Sequence, residues 1–204
     1  MKIRDSGMPE EGMWNNFFNP DFILQSFGLD RGLRDIAEFG SGYGTFTLSA
    51  ARLVTGRIFA MDIDHEMADL VRNKCRSAGI DNVRVAVRDF VAEGSGLPEN
   101  SVDAALLFNI LHHEDPDALM NEAYRIIAGG GSLAVIHWVS DSFTPRGPSL
   151  DIRPRPEQCI EWGVKAGFSL DIKGRFRFPP YHYGLLFRKP PAGTNRGFGN
   201  FRNG

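Results

Sequence analysis

The sequence predicts an α/β protein built on a doubly wound, seven-stranded, mostly parallel sheet. Three observations carry that expectation. Seven short segments have strand character, and amphipathic helical segments alternate with them, as they do where helices cover both faces of a parallel sheet. The fourth of these, "VDAALLF" at 102–108, is apolar almost without a break, as a strand covered on both sides must be. The turn in "DIAEFGSGYGTF" at 35–46 holds three alternating glycines. It falls after the first strand, on the side where such sheets leave their ligand crevice, outside the carboxyl ends of the strands.

The elements follow in order. Asn19 and Pro20 begin a helix as cap and first-turn proline, and its Phe22, Ile23 and Phe27 are expected to pack on the sheet. "RDIAEF" (34–39) is the first strand and "TFTLSAARLV" (45–54) the helix after the glycine turn. "RIFAMD" (57–62) is a second strand ending on an acid. In "HEMADLVRNKCRSAG" the residues Met67, Leu70, Val71, Lys74 and Cys75 fall at helical spacing, with Asp64 placed as cap and Gly79 as stop. "VRVAVRDF" (83–90) alternates as a third strand. "DPDALMNEAYRIIAGGG" reads as a helix with Asp115 as N-cap, Pro116 at its first position and glycines at its end. "SLAVIHW" (132–138) is the fifth strand, followed by a loop rich in proline and arginine, the helix "PEQCIEWGVKAG", and strand-like segments around 168–178 and 183–189.

Composition narrows the partners. At 204 residues the chain can bury roughly 70% of its unfolded surface in a single domain. A net charge of −2 gives no overall attraction to nucleic acid or to an anionic membrane. The two cysteines, Cys75 and Cys159, sit in helix-like patterns, which suits a reducing compartment. No basic start leads into an apolar segment, and no stretch approaches the roughly 20 apolar residues of a membrane span. The expectation is a cytoplasmic protein acting on a small molecule, and no oligomeric state is read from the chain.

The glycine turn says more about the ligand. Glycine lets backbone approach a bound group closely and permits the positive φ of a tight turn. The dinucleotide fingerprint needs glycine at 40, 42 and 45, and position 45 is Thr. Instead the sequence reads Glu38, Gly40, Gly42, Gly44, and this resembles the first motif of the class I S-adenosylmethionine-dependent methyltransferases. The resemblance runs over roughly residues 14–189. It implies a Rossmann-like fold with the last strand antiparallel, a cap or lid at 1–30 and a methyltransferase domain at 31–189; the tail at 190–204, rich in Gly, Asn and Pro, is expected to be disordered on its composition. It also implies S-adenosyl-L-methionine as cofactor. Glu38 would face its ammonium group, and Asp62, with Ile63 beside it, would accept the ribose hydroxyls. Asp89 would meet the adenine amino group, and Phe90 would flank the ring. "SVDAALLFNILHH" resembles the family's fourth motif and brings Asn109 to the methionine end.

Methyl transfer from a sulfonium needs orientation and desolvation, and a base when the acceptor must lose a proton. Histidine titrates in the right range. His112 is the first candidate and His137 the second, with His113 and His182 near the same edge. The alternative is that the paired histidines shape the turn before Asp115. No metal is expected, because His112 and His113 are adjacent and the cysteines lack ligand spacing. Nucleic-acid methylation is disfavoured, since "FNILHH" has Asn109 but no prolines after it. Arg146, Arg153 and Arg155 in the loop after the fifth strand suit a carboxylate or phosphate on the acceptor, or else pair with Asp141, Asp151 and Glu157. Trp14, Phe17 and Phe18 are candidates for a lid. A non-catalytic cofactor-binding protein and a nicotinamide-dependent oxidoreductase are the alternatives.

Overall fold

The computed structural model describes residues 7–191 and 193; the remainder of the expected tail and the first six residues lie outside the described part. Two short helices come first, α1 (Glu11–Asn15) and α2 (Pro20–Ser26). The alternating part follows as β1 (Ile36–Phe39), α3 (Thr45–Leu53), β2 (Ile58–Asp62), α4 (His65–Ser77), β3 (Val83–Val87), β4 (Val102–Phe108), α5 (Pro116–Ile126) and β5 (Ile127–Trp138). A 3-10 turn (Leu150–Ile152), α6 (Pro156–Ala166), β6 (Ser169–Phe178) and β7 (His182–Arg188) complete it.

The seven strands lie in the order β3-β2-β1-β4-β5-β7-β6. The first five are mutually parallel, and β7 runs antiparallel to both β5 and β6. The order reverses between β1 and its neighbour β4, so the crevice opens beside the end of β1. One face of the sheet packs Ile36, Ile58, Leu106 and Ile136 against Ile23, Leu24 and Phe27 of α2 and Phe46 of α3. The other packs Phe39, Leu107, Val135 and Phe187 against Leu119, Met120 and Ile126 of α5 and Cys159 of α6. Both cysteines are free and buried.

The helix starts are set by side chains that take up otherwise unpaired backbone donors. Asn19 accepts from Phe22 N at 3.2 Å, Asp64 from Glu66 N at 2.8 Å and Asp115 from Ala118 N at 2.9 Å. In α2, Ile23 and Phe27 are buried as expected, but Phe22 is 59% exposed. The seven-residue helix turns Ile23 and Leu24 to the sheet, with Phe27 at its C-cap beside them, and Phe22 falls outside that stripe.

Two boundaries differ from the sequence reading. The third strand stops at Val87, so residues 88–90 form the start of a loop, where the Arg88 side chain donates from Nε to Gly94 O. The glycines after α5 belong to β5 and not to the helix end, because Ile127 is fully buried and already pairs with Val102. Gly130 has φ +85°, and a Cβ at Gly131 would lie 2.5 Å from Asp103 O. The glycines therefore serve the register shift between Val102 and Ala104.

Gly44 caps α3 at φ +77°, and a Cβ there would sit 2.8 Å from Leu48 Cδ1 and 3.1 Å from Val71 Cγ2. Gly44→Ala combines this crowding with left-handed strain. It is expected to lower stability by about 1 to 3 kcal/mol in urea unfolding.

Candidate functional site

At the carboxyl ends of β1, β2, β4 and β5 a cleft of about 260 Å³ opens. Its first wall is the glycine turn, held to the end of β2. Gly40 N and Ser41 N both donate to Met61 O, at 2.8 and 3.0 Å, and Gly42 N donates to Asp62 Oδ2 at 2.7 Å. The other carboxylate oxygen, Oδ1, accepts from Asp64 N at 3.0 Å. Gly42 has φ +49°, and around a Cβ built on it only Met8 Sδ comes near, at 3.7 Å, so the turn leaves space on that side. Burial pushes the Asp62 carboxyl up from its ordinary range, while the N–H groups of Asp64 and Gly42 pull it back.

Glu38 lies one strand over, only 2% exposed, and its carboxyl takes the Thr47 hydroxyl. Burial raises its pKa to about 8, against the opposing Thr47 hydrogen bond and with a further push from Asp62. Near neutral pH Glu38 therefore holds a proton that an arriving cation would displace.

The second wall follows β4. Asn109 has φ +56°, a left-handed conformation, and donates from its backbone N to Ile136 O at 2.8 Å. Both polar atoms of its side chain are buried without a partner, as is Ser41 Oγ in the first wall. A strained residue presenting an unsatisfied amide to a cleft is a signature of a ligand site.

His112 also lines the cleft, and its Nδ1 lies 3.3 Å from Nε2 of His137, which is fully buried. His137 Nδ1 in turn lies 3.4 Å from Trp138 O. Burial, with the neighbouring His112 also contributing, holds the His137 pKa well below 6.5, so that ring is neutral. With its proton on Nδ1 toward Trp138 O, its Nε2 accepts from His112 Nδ1–H. His113 does serve the turn, its Nδ1 accepting from Asp115 N at 2.9 Å.

The N-terminal segment supplies a third wall through Met8 and Trp14. Tyr43 OH donates to Pro9 O at 3.1 Å, Thr45 Oγ1 to Asn15 Oδ1 at 2.9 Å, and Lys74 bridges Glu11 and the Tyr43 carbonyl. Trp14 and Phe17 pack on Trp138, at centroid distances of 6.4 and 5.5 Å.

Of the residues singled out from sequence, the cleft gathers Glu38, Gly40, Gly42, Asp62, Ile63, Phe90, Asn109 and His112. Gly44, Asp89 and His137 do not line it. Gly44 packs against Leu48 and Val71, and His137 stands behind His112. Asp89 turns into the loop that begins where β3 stops, its Oδ1 accepting from Ala92 N at 3.0 Å. Tyr183 is buried, donating to Pro154 O at 2.8 Å. Ser41, Met8, Met67 and Trp138 join the lining without having been foreseen. Trp138 and Met67 read from sequence as ordinary core residues, and Met8 lies in a segment with no periodicity.

Among the described residues no three His, Cys, Asp or Glu side chains come together in a metal cage, and no helix is long and apolar enough to cross a membrane.

This order of strands, with a glycine turn tied to an acid at the end of β2, defines a Rossmann-like protein with a cofactor crevice at its switch point. A family model described as "Methyltransferase domain" matches residues 37–135. The ubiquinone/menaquinone biosynthesis C-methyltransferase UbiE of Escherichia coli is 28% identical over 134 residues, which are 64% of this chain and 52% of that protein. The chain thus spans about half the length of the curated relatives it matches. Among solved structures, a SAM-dependent methyltransferase from Aquifex aeolicus superposes with a TM-score of 0.77 at 22% identity, covering 88% of this chain and 93% of that one. The [4+2]-cyclase SpnF superposes at 0.69 with 18% identity, covering 93% and 89%. Likeness at these identities speaks for the fold alone. The stretch 37–135 is thus similar to a methyltransferase domain, and the fold is the one that S-adenosylmethionine-dependent methyltransferases have.

The raised pKa of Glu38 has a consequence for stability. The folded chain binds a proton there that the unfolded chain has released, so between about 4.5 and about 8 the contribution of Glu38 to stability falls as pH rises. Glu38→Gln should remove this dependence. Urea midpoints measured across that window should diverge in favour of the variant with rising pH, by up to about 1.4 kcal/mol per unit. Parallel curves would contradict it.

Proposed function

We propose that the protein transfers the methyl group of S-adenosylmethionine to a small-molecule acceptor, with His112 as general base. The observation that carries this reading is Asp62, a buried carboxylate tied to the glycine turn in the same cleft as His112 and the unsatisfied amide of Asn109. The residues fit the cofactor: Ser41 Oγ and the Asn109 amide lack partners, and a Cβ at Gly42 would meet only Met8 Sδ, at 3.7 Å.

Asp62 would take the ribose hydroxyls, using the second lone pairs of the oxygens already bonded to Gly42 N and Asp64 N. Ile63 and Phe90 would flank the adenosine, and Gly40 and Gly42 leave room for its close approach to the backbone. Glu38 would meet the ammonium group, and Asn109 the methionine end. When bound, the cofactor supplies a methyl group on a positively charged sulfur.

The remaining work is done by side chains. His137 stands behind the His112 ring, its Nε2 3.3 Å from His112 Nδ1, and the His112 imidazole would receive the acceptor's proton. Met8 and Trp14 close the cleft over the reacting groups and exclude water. The N-terminal segment thus acts as a lid on the catalytic domain.

Three measurements test the reading. Asp62→Ala should weaken S-adenosylmethionine binding by about 1.5 to 3 kcal/mol, the range for hydrogen bonds to a charged group, in a variant that remains folded. Binding to the wild type at pH 7 should release close to one proton as Glu38 ionises, seen as a binding enthalpy that changes with the ionisation enthalpy of the buffer. Glu38→Gln should abolish that change. General-base assistance is worth about 10² to 10⁴ in rate, so His112→Ala should lower turnover by at least about 10² with cofactor affinity unchanged. Near-normal turnover in that variant would remove His112 from the mechanism. Cofactor binding with no turnover on any small molecule would favour the non-catalytic alternative.

A further inference from the structure

The cleft is lined unevenly. Its carboxylates, Glu38, Asp62 and Asp64, all belong to the side of β1 and β2 where the adenosine and amino-acid ends are assigned. On the side of β4 and β5 the walls are Phe108, Ile110, Trp138 and Trp14, and the polar groups are the Asn109 amide and imidazole rings. Among the described residues lining the cleft there is no lysine or arginine.

The arginine that lies over the Trp138 wall is spoken for. Arg153 stands with its guanidinium carbon 5.5 Å from the Trp138 ring centroid and is only 7% exposed. Its Nε donates to Pro148 O at 2.7 Å, Nη1 to Val139 O at 3.1 Å, and Nη2 to Thr144 Oγ1 at 2.7 Å and Arg146 O at 3.3 Å. It ties the loop after β5 together with four of its five N–H groups. Arg153 is thereby a brace of that loop and not the anion-binding fork that its sequence context suggests.

An ammonium group placed in this half would be buried without a carboxylate and beside the cofactor's cationic sulfur, at a cost of several kcal/mol, and a carboxylate or phosphate would find no lysine or arginine among the described lining residues. A hydroxyl meets the opposite situation. It can donate to the Asn109 Oδ1 or accept from Nδ2, the two atoms left unsatisfied in the protein alone. Flat apolar surface suits the remaining wall, where Trp14 and Trp138 meet at 57° with their centroids 6.4 Å apart.

We infer that the acceptor is an uncharged, flat, largely apolar molecule bearing a hydroxyl group, a phenol in chemical class, bound against Trp14 and Trp138 with its oxygen toward Asn109 and His112. The inference rests on the assignment of the β1–β2 half to S-adenosylmethionine. In the transfer, the hydroxyl proton passes to the His112 imidazole and an oxygen lone pair forms the new bond to the methyl carbon. The S–CH3 bond breaks with its electron pair on sulfur, which becomes a neutral thioether. The products are a methyl ether, S-adenosylhomocysteine and a protonated His112.

The test uses three probes of one shape and different charge. The protein is saturated with S-adenosylhomocysteine, and 2-naphthol, 2-naphthoate and 2-naphthylmethylammonium are titrated into it by calorimetry at pH 7. The expected result is that 2-naphthol binds at least tenfold more tightly than either ion. Trp14→Ala should reduce that affinity at least threefold while leaving S-adenosylhomocysteine binding unchanged. Equal or tighter binding of either ion overturns the inference, as does failure of all three to bind the loaded protein. Failure of S-adenosylhomocysteine itself to bind, measured first, overturns the cofactor assignment and the inference with it.

Discussion

The site depends on the carboxylate of Asp62 and the two backbone donors it holds. Its oxygens reach Gly42 N in the turn after β1 and Asp64 N in the turn after β2, so one side chain joins two adjacent strand-to-helix turns. Those bonds offset part of the cost of burying the charge, and they shape a turn in which Gly42 adopts a positive φ and leaves space beside it. The parallel pairing of β1 with β2 on one side and β4 on the other then places Asp62, Glu38 and Asn109 along one edge of the sheet. The crevice is a product of topology, and its ligand preference comes from the residues that happen to end those strands.

Around that anchor the cleft divides into two chemistries. The half beside β1 and β2 carries buried carboxylates, of which Glu38 is raised by burial to a pKa of about 8. The half beside β4 and β5 is aromatic, with no lysine, arginine or carboxylate among its described lining residues, and its His112 ring lies against a second, wholly buried histidine. Trp138 links this half to the lid through Trp14 and Phe17, and to the loop after β5 through Arg153. A change in the lid or in that loop is thereby felt at the wall where an acceptor would rest.

Much of this was legible in the chain. The alternation of strands and helices, the caps at Asp64 and Asp115, and the clustering of Glu38, Gly42 and Asp62 at one turn follow from local pattern, and the structure shows each in place. β3 ends three residues earlier than the alternation of 83–90 suggests, which places Asp89 in the following loop with its Oδ1 on Ala92 N. His137 is correctly placed near the end of β5, but its pleat turns it behind His112 while Trp138 takes the opposite face. A tryptophan ending an apolar strand reads as core, and Trp138 is both core and cleft wall. The loop arginines suggested ion pairs or an anion site, whereas Arg153 spends its donors on carbonyls and a hydroxyl that only the folded loop brings together.

The central claim is that this edge of the sheet holds the cofactor in one orientation. A crystal structure of the protein with S-adenosylhomocysteine tests it most directly. The account predicts both ribose hydroxyls on Asp62, the amino group facing Glu38, the adenine beside Phe90, and the sulfur directed toward the half that holds Asn109 and His112. A ligand bound elsewhere, or bound in this cleft with its sulfur turned away from Asn109 and His112, would contradict it.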